Sequence, residues 1–265
     1  MDTGDRLHFI GTATTVVTLG SFTLLTDPNF LHRGQRAYLG WGLSSPRLTA
    51  PAVEPEELPA LDAVLLSHLH GDHFDRVSRA RLDRSAPVLS TPHAVRRLDS
   101  WGFDTQALET WQQHSLVKGG EELRVTAVPA IHARGLLGRM LPPVMGSIVE
   151  HVVGGEVRRR VYFSGDTLTG DHVDEVRERF PGIDAAVVHL GGTRVLMRTV
   201  TMDGPMGVDF VERCAPAVVV PVHHDDYKVF RSPLSDFVRR SAESGTSAVL
   251  RCPRRGEVVS LEPPA

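Results

Sequence analysis

Apolar positions in this chain alternate with polar ones or gather in short runs. Few stretches repeat them at helical spacing, which predicts a strand-rich protein with helices inserted between strands. Residues 7–10 and 14–19 read as strands, and after the turn Gly20-Ser21 the chain returns along 22–26, ending at Asp27-Pro28. Proline cannot donate to a ladder, so the strand stops there and leaves an acid at its tip. Residues 29–60 carry many Gly and Pro and little periodicity, and read as a long ordered loop. A buried strand over 61–67 follows, then helix 75–82, strand 87–90 and a helix from Pro92 to about residue 101.

The second half repeats this grammar. A strand over 123–128 leads into an apolar loop at 133–146. Strands 147–153 and 157–163 are joined by the hairpin turn Gly154-Gly155. Then come helix 171–180, strand 185–189, helix 204–214, strand 218–222, helix 233–243 and two short closing strands. Two halves that begin with strands and pass into helix–strand alternation suggest two packed sheets with helices outside. No repeat at a fixed period and no Gly/Ser/Pro-rich linker divides the chain, so 1–265 reads as a single domain.

Composition narrows the class. Apolar residues make up 41% and charged residues 23% of 265, enough for a sizeable core. A net charge of -3 gives no reason to expect a nucleic acid or an anionic surface as partner. The polar, acidic start Met1-Asp2-Thr3-Gly4-Asp5 does not read as a signal peptide, and no run is long enough to span a bilayer. Two cysteines, Cys214 and Cys252, make neither a disulfide scaffold nor a Cys-rich zinc site. A cytoplasmic protein with a small-molecule substrate is the expectation, with homo-oligomerisation left open.

Chemistry concentrates in Ser67-His68-Leu69-His70-Gly71-Asp72-His73-Phe74, where four side chains able to bind a borderline metal fall within six residues. The string begins at a strand's C-terminal end, the usual place for ligand sites in α/β sheets. His132, Asp166 and His223 each follow another apolar strand, in Gly/Pro-rich corners. Three imidazoles, His68, His70 and His132, would seat one cation. Asp72, His73 and His223 would seat a second, with Asp166 shared. Nitrogen and carboxylate donors without thiolate suit Zn²⁺ first, and also Mn²⁺, Fe²⁺ or Ni²⁺. Two such ions would bring water's pKa down toward neutrality.

With these pieces in place, the sequence resembles the metallo-β-lactamase-fold hydrolases. It is most similar to the branch holding L-ascorbate-6-phosphate lactonase-like and N-acylphosphatidylethanolamine phospholipase D-like proteins. The likeness rests on Phe9-Ile10-Gly11-Thr12-Ala13-Thr14, Leu25-Thr26-Asp27-Pro28, the histidine string, Val128-Pro129-Ala130-Ile131-His132, Phe163-Ser164-Gly165-Asp166-Thr167 and Pro221-Val222-His223. It implies an α/β fold, a four-layer αββα sandwich of two mixed sheets with helices outside. It implies the ligand sets just given, with Asp27 ordering the histidine loop from behind. It also implies a dinuclear hydrolase in which Asp72 and Asp166 are catalytic and a metal-bound hydroxide attacks an ester-like bond.

A lactone or carboxylic ester is the favoured substrate, because no Arg/Lys cluster of the kind phosphate needs stands out. A phosphodiesterase and a non-catalytic metal-binding scaffold are the alternatives. The Pro-x-His spacing favours His223 over His224 as ligand. His224, His189 and Arg194 are candidate substrate contacts, and Trp41 and Tyr227 candidates for the mouth. Loops 29–60, 133–146 and 193–202 are the segments expected to shape the pocket.

Overall fold

The computed structural model describes residues 4–40 and 42–264. Two seven-stranded sheets dominate it. The first runs Val258–Ser260, Arg6–Gly11, Thr14–Leu19, Phe22–Thr26, Ala63–Leu65, Val88–Ser90, Thr105–Ala107. The second runs Val249–Leu250, Val218–Val222, Ala185–His189, Glu156–Phe163, Met145–Val153, Glu121–Pro129, Gln113–Lys118. Each sheet is antiparallel at one side and parallel at the other, and this is the repeated grammar of the two sequence halves.

The layers follow from which residues each strand turns inward. Leu7, Phe9, Val17, Leu19 and Leu24 meet Leu123, Val125, Val149, Val161 and Val220 in a core between the sheets. Their neighbours Ile10, Val16, Leu25 and Val64 face outward, where Phe74, Ala94 and Leu98 cover them near helices Arg76–Arg81 and Pro92–Asp99. On the far side, Ile148, Tyr162, Val188 and Val219 are covered by Val173, Val176, Val211 and Phe237 of helices Asp171–Arg179, Gly204–Cys214 and Leu234–Ser244. Strands buried on both faces show as unbroken apolar runs, as in Val218–Val222. The result is a mixed α/β sandwich with two sheets inside and helices outside.

Several boundaries differ from the sequence reading. The strand expected over 61–67 pairs only at Ala63–Leu65. Its partner strand Phe22–Thr26 ends at Asp27, and Ser67 instead donates its backbone N–H to the Asp27 side chain. The long loop 29–60 holds a hairpin, Arg36–Tyr38 with Ser44–Pro46, and a 3₁₀ turn Pro55–Glu57. The loop 133–146 contains the helix Gly135–Met140, and Met145 opens the next strand. Gly138, inside that helix, is a packing requirement. A Cβ there would lie 2.2 Å from the Ala133 carbonyl oxygen. Thr105–Ala107, an edge strand of the first sheet, has no apolar pattern that would have announced it.

Candidate metal centre

All the predicted ligands leave the same end of the two sheets. Asp27 follows Phe22–Thr26, the histidine string follows Ala63–Leu65, His132 follows Glu121–Pro129, Asp166 follows Glu156–Phe163, and His223 follows Val218–Val222. Sheet pairing fixes the direction of each tip, so residues far apart in sequence meet. Four groups of donor atoms result, each with its atoms within 4.8 Å of one another. They are His68/His70/His132, Asp72/His73/His223, His68/His73/Asp166 and Asp27/His73/His189. Asp166 groups with one histidine from each of the first two sets and so stands between them.

The imidazoles are aimed by their outer nitrogens. His132 Nδ1 lies 2.9 Å from the Val200 carbonyl, and His223 Nδ1 lies 2.9 Å from that of Leu190. A proton on each Nδ1 donates to that carbonyl and leaves the Nε2 lone pair facing inward. His70 Nδ1 lies 2.9 Å from His68 Nε2 and 3.4 Å from His132 Nε2. Asp72 Oδ2 stands 3.5 Å from His223 Nε2, and His73 Nε2 stands 3.3 Å from Asp166 Oδ2.

Burial and the neighbouring charges together set the charge state of this cluster. It pushes His68 well below the usual imidazole range and His70 down to about 4, so both offer lone pairs at neutral pH. Burial also works against charge on His73, but Asp166 and Asp27 beside it win and hold it well above the usual range. His223 is raised by Asp166 and Asp72 against the same penalty. Asp166 is held well below the carboxylate range, with burial overcome by His223 and His73.

The residues fit a metal. Asp72 Oδ1, His73 Nε2, Asp166 Oδ1 and His223 Nε2 are all buried without a hydrogen-bond partner, and they belong to neighbouring groups. A buried unpaired polar atom costs about 1–3 kcal/mol. Four in one cluster are explained when cations take their lone pairs.

Beneath the centre, Asp27 acts as the hub. Its Oδ1 accepts the Ser67 N–H at 2.7 Å, and the Ser67 hydroxyl lies 3.0 Å from both carboxylate oxygens. His73 Nδ1 is 3.1 Å and His189 Nε2 3.3 Å from Oδ2. Burial opposes its ionisation, yet His73 and His189 hold its pKa down to about 2. Its φ of 37° lies in the left-handed region that Asp tolerates better than most residues. Gly165 has φ 60°, and a Cβ there would stand 2.6 Å from the Met145 carbonyl oxygen. Glycine in Ser164-Gly165-Asp166 therefore lets the Asp166 tip pass under that strand.

A cavity of about 420 Å³ opens onto His70, Asp72, His132 and Asp166. Its walls come from the three segments that the sequence singled out: Leu39 and Leu43, Leu137 and Leu141, Val195 and Val200. Arg194 lines it too. The other candidate contacts are placed elsewhere. His189 is buried behind the centre, between Asp27 and Ser164, and does not line this cavity. His223 adopts φ 62°, and His224 lines a different hollow with Phe230 and Arg231. Tyr227 is buried and donates to Asn29 Oδ1 at 2.9 Å, away from the mouth. Trp41 lies outside the described residues.

Sequence reasoning missed several supports. Ser67 joins Asp27 to His68, whose Nδ1 is 3.0 Å from its hydroxyl. Its position, next to the string, was the available signal. Thr12 accepts the His223 N–H on its carbonyl at 2.7 Å, while its own N–H donates to Asp226 at 2.6 Å. Asp226 is in turn held by Arg47, Arg255 and the Thr49 hydroxyl. No local pattern ties Arg47 to Asp226 across that separation.

A two-sheet sandwich with His and Asp donors gathered at one end of its strands is the architecture of a metal-dependent hydrolase. A family model, the beta-lactamase superfamily domain, matches residues 23–224, and the chain belongs to that superfamily. A metal-dependent hydrolase of the UPF0173 group from Nanoarchaeum equitans is 25% identical over 197 residues, covering 74% of this chain and 84% of that one. The UPF0173 protein YddR of Bacillus subtilis is 27% identical over 258 residues, 94% of this chain and 96% of its own length. Among solved structures, an isothiocyanate hydrolase from Delia radicum gut bacteria superposes with a TM-score of 0.81 at 21% identity, covering 96% and 98% of the two chains. Igni18, a metallo hydrolase from Ignicoccus hospitalis, does so at 0.70 and 22%, covering 97% and 98%. No helix among the described residues is long and apolar enough to cross a membrane.

Proposed function

We propose that this metal-dependent hydrolase is dinuclear and cleaves an ester-like bond at carbon, a lactone or carboxylic ester. The observation that carries the reading is the pair of adjoining donor groups, His68/His70/His132 and Asp72/His73/His223, with Asp166 between them. Their nitrogen and oxygen donors suit zinc, with manganese the alternative. Cys214 is buried in a helix of the outer layer and supplies no thiolate. When bound, two such cations supply Lewis acidity that acidifies water and polarises an acyl oxygen.

The chain's own residues do the rest. Asp72 lines the cavity, and its carboxylate has two oxygens, so that with one toward a cation the other is placed to orient a water and receive its proton. Asp166 holds the two donor groups in register through His68 and His73. The Val200 and Leu190 carbonyls keep His132 and His223 in the tautomer that faces inward. Apolar walls around the cavity exclude bulk water and strengthen every charge interaction inside it.

The choice of a carbon ester over a phosphodiester rests on those walls. Arg194 is the one Arg or Lys lining the cavity among the described residues, and phosphate sites favour several.

The test is a screen of Zn- and Mn-loaded protein against lactones, carboxylic esters, phosphodiesters and, given one structural relative's name, isothiocyanates. Asp166→Ala and His68→Ala should remove turnover while leaving a folded protein by circular dichroism. Near wild-type hydrolysis by either variant, or less than one equivalent of metal after reconstitution, overturns the proposal.

A further inference from the structure

The rim of the cavity holds a feature that the chemistry at its floor does not use. Arg194–Val195 and Arg198–Thr199 pair as a small hairpin whose two-residue tip is Leu196-Met197. Both tip residues have positive φ, 48° and 64°. Two positive φ values in a two-residue hairpin loop define the type I′ turn, which favours Asn-Gly because other L side chains are strained there. The same two side chains are 84% and 95% exposed. The backbone conformation costs stability, and the exposure forgoes burial, so neither residue is explained by folding.

Placement supplies the reason. Leu196 is part of the wall of the 420 Å³ cavity that descends to His70, Asp72, His132 and Asp166. Helix Gly135–Met140 brings Leu137 and Met140 to the same wall, with Leu136, 75% exposed, on that helix's outer side. Leu43, from the 36–46 hairpin, lines it as well. Three segments, distant in sequence, bring apolar side chains to one concave opening. These residues line a hollow that leads down to the acid and histidine cluster, which fits a small ligand entering the hollow better than a flat partner.

We propose that the substrate carries an apolar group beyond the bond that is cleaved, and that Leu196 and Met197 form the lip that packs on this group and sets specificity. The proposal rests on the hydrolase reading for the reacting end only. Contact with substrate gives the lip the burial that the free protein lacks, at about fourfold in affinity per buried methylene.

The test rebuilds the tip as the turn it geometrically is. The double variant Leu196→Asn/Met197→Gly should keep or raise the thermal midpoint, because Asn-Gly suits the backbone, while removing the apolar lip. With wild type, kcat/KM for p-nitrophenyl esters should rise about fourfold per methylene from acetate toward hexanoate. In the double variant, kcat/KM for the hexanoate should fall at least tenfold, mainly through KM, with the acetate unchanged. A flat chain-length profile in wild type, or equal loss on acetate and hexanoate, overturns the proposal. If no p-nitrophenyl ester is cleaved, the ester reading fails separately, and the lip is then read by binding of the neutral fluorophore N-phenyl-1-naphthylamine to metal-loaded protein. Tenfold weaker binding by the double variant supports the lip, and equal binding overturns it.

Discussion

Replacing Asp27 with alanine tests how the metal end of the sheets is held together. The side chain is buried and accepts from the Ser67 N–H at 2.7 Å, with the Ser67 hydroxyl 3.0 Å away, His73 Nδ1 3.1 Å and His189 Nε2 3.3 Å. Truncation leaves the Ser67 N–H and His73 Nδ1 buried without that acceptor, at about 1–3 kcal/mol each. Alanine at φ 37° adds about 1–2 kcal/mol of backbone cost. The groups share one network, so the terms do not add fully, and Asp27→Ala should lose about 3–5 kcal/mol. Asp27→Asn keeps an oxygen for the Ser67 N–H and tolerates the backbone, so its loss should be about 1–2 kcal/mol. Urea unfolding of chelated protein measures both without a contribution from metal. Because Ser67 and His73 are oriented through Asp27, metal affinity should also drop about 10–100-fold, measured by competition with a chromophoric chelator. A loss under 1 kcal/mol for Asp27→Ala, or a stability loss with unchanged metal affinity, would refute its role as the organiser of the histidine loop.

Three further outcomes follow from the same geometry. Gly165→Ala forces a Cβ to within 2.6 Å of the Met145 carbonyl at φ 60°, and should cost about 2–4 kcal/mol in urea unfolding; a neutral result would mean that the Asp166 tip is not tightly seated. Removing metal with a chelator should lower the thermal midpoint, because cations bind only the folded site. At a hundredfold excess over Kd the loss is about 2.7 kcal/mol, several degrees for a chain of this size, and an unchanged midpoint would argue against the centre. Asp226 is buried, and against that penalty Arg47 and Arg255 hold its pKa below the ordinary value. A lowered folded pKa contributes stability that is full above about pH 4 and is lost as pH falls through the folded value. Asp226→Asn should therefore flatten the acid limb of the stability–pH curve below about pH 4; an unaltered limb counts against the Arg47–Asp226–Arg255 cluster as its source.

The sequence alone determined that the chain is strand-rich with two similar halves, and that the histidine string begins at a strand's end. These properties are local. Strand character shows in the apolar alternation, and a ligand string such as His68–His73 is short enough for its spacing to be informative. The same holds for the ends of Gly204–Cys214 and Val218–Val222, which Pro205 and the β-branched run announce. Tertiary structure decided what converges. His223 and His224 are neighbours of one residue type, and only the φ of 62° at the strand end, with the hydrogen bond to Thr12, sends one into the centre and the other to a separate hollow. His189 stands at a strand tip like the ligands, yet it faces Asp27 behind the centre, because the register of its strand against Val218–Val222 fixes which way its last side chain points. Residues 193–202 read in the sequence as a pocket-shaping loop, but the hairpin with its positive-φ tip, and the place of Leu196 in the cavity wall, exist only in the folded backbone. Composition and spacing constrain what one segment can be. Which side chains share a cavity depends on sheet register and on close backbone approaches such as Gly138 to Ala133, and these exist only once the segments pack.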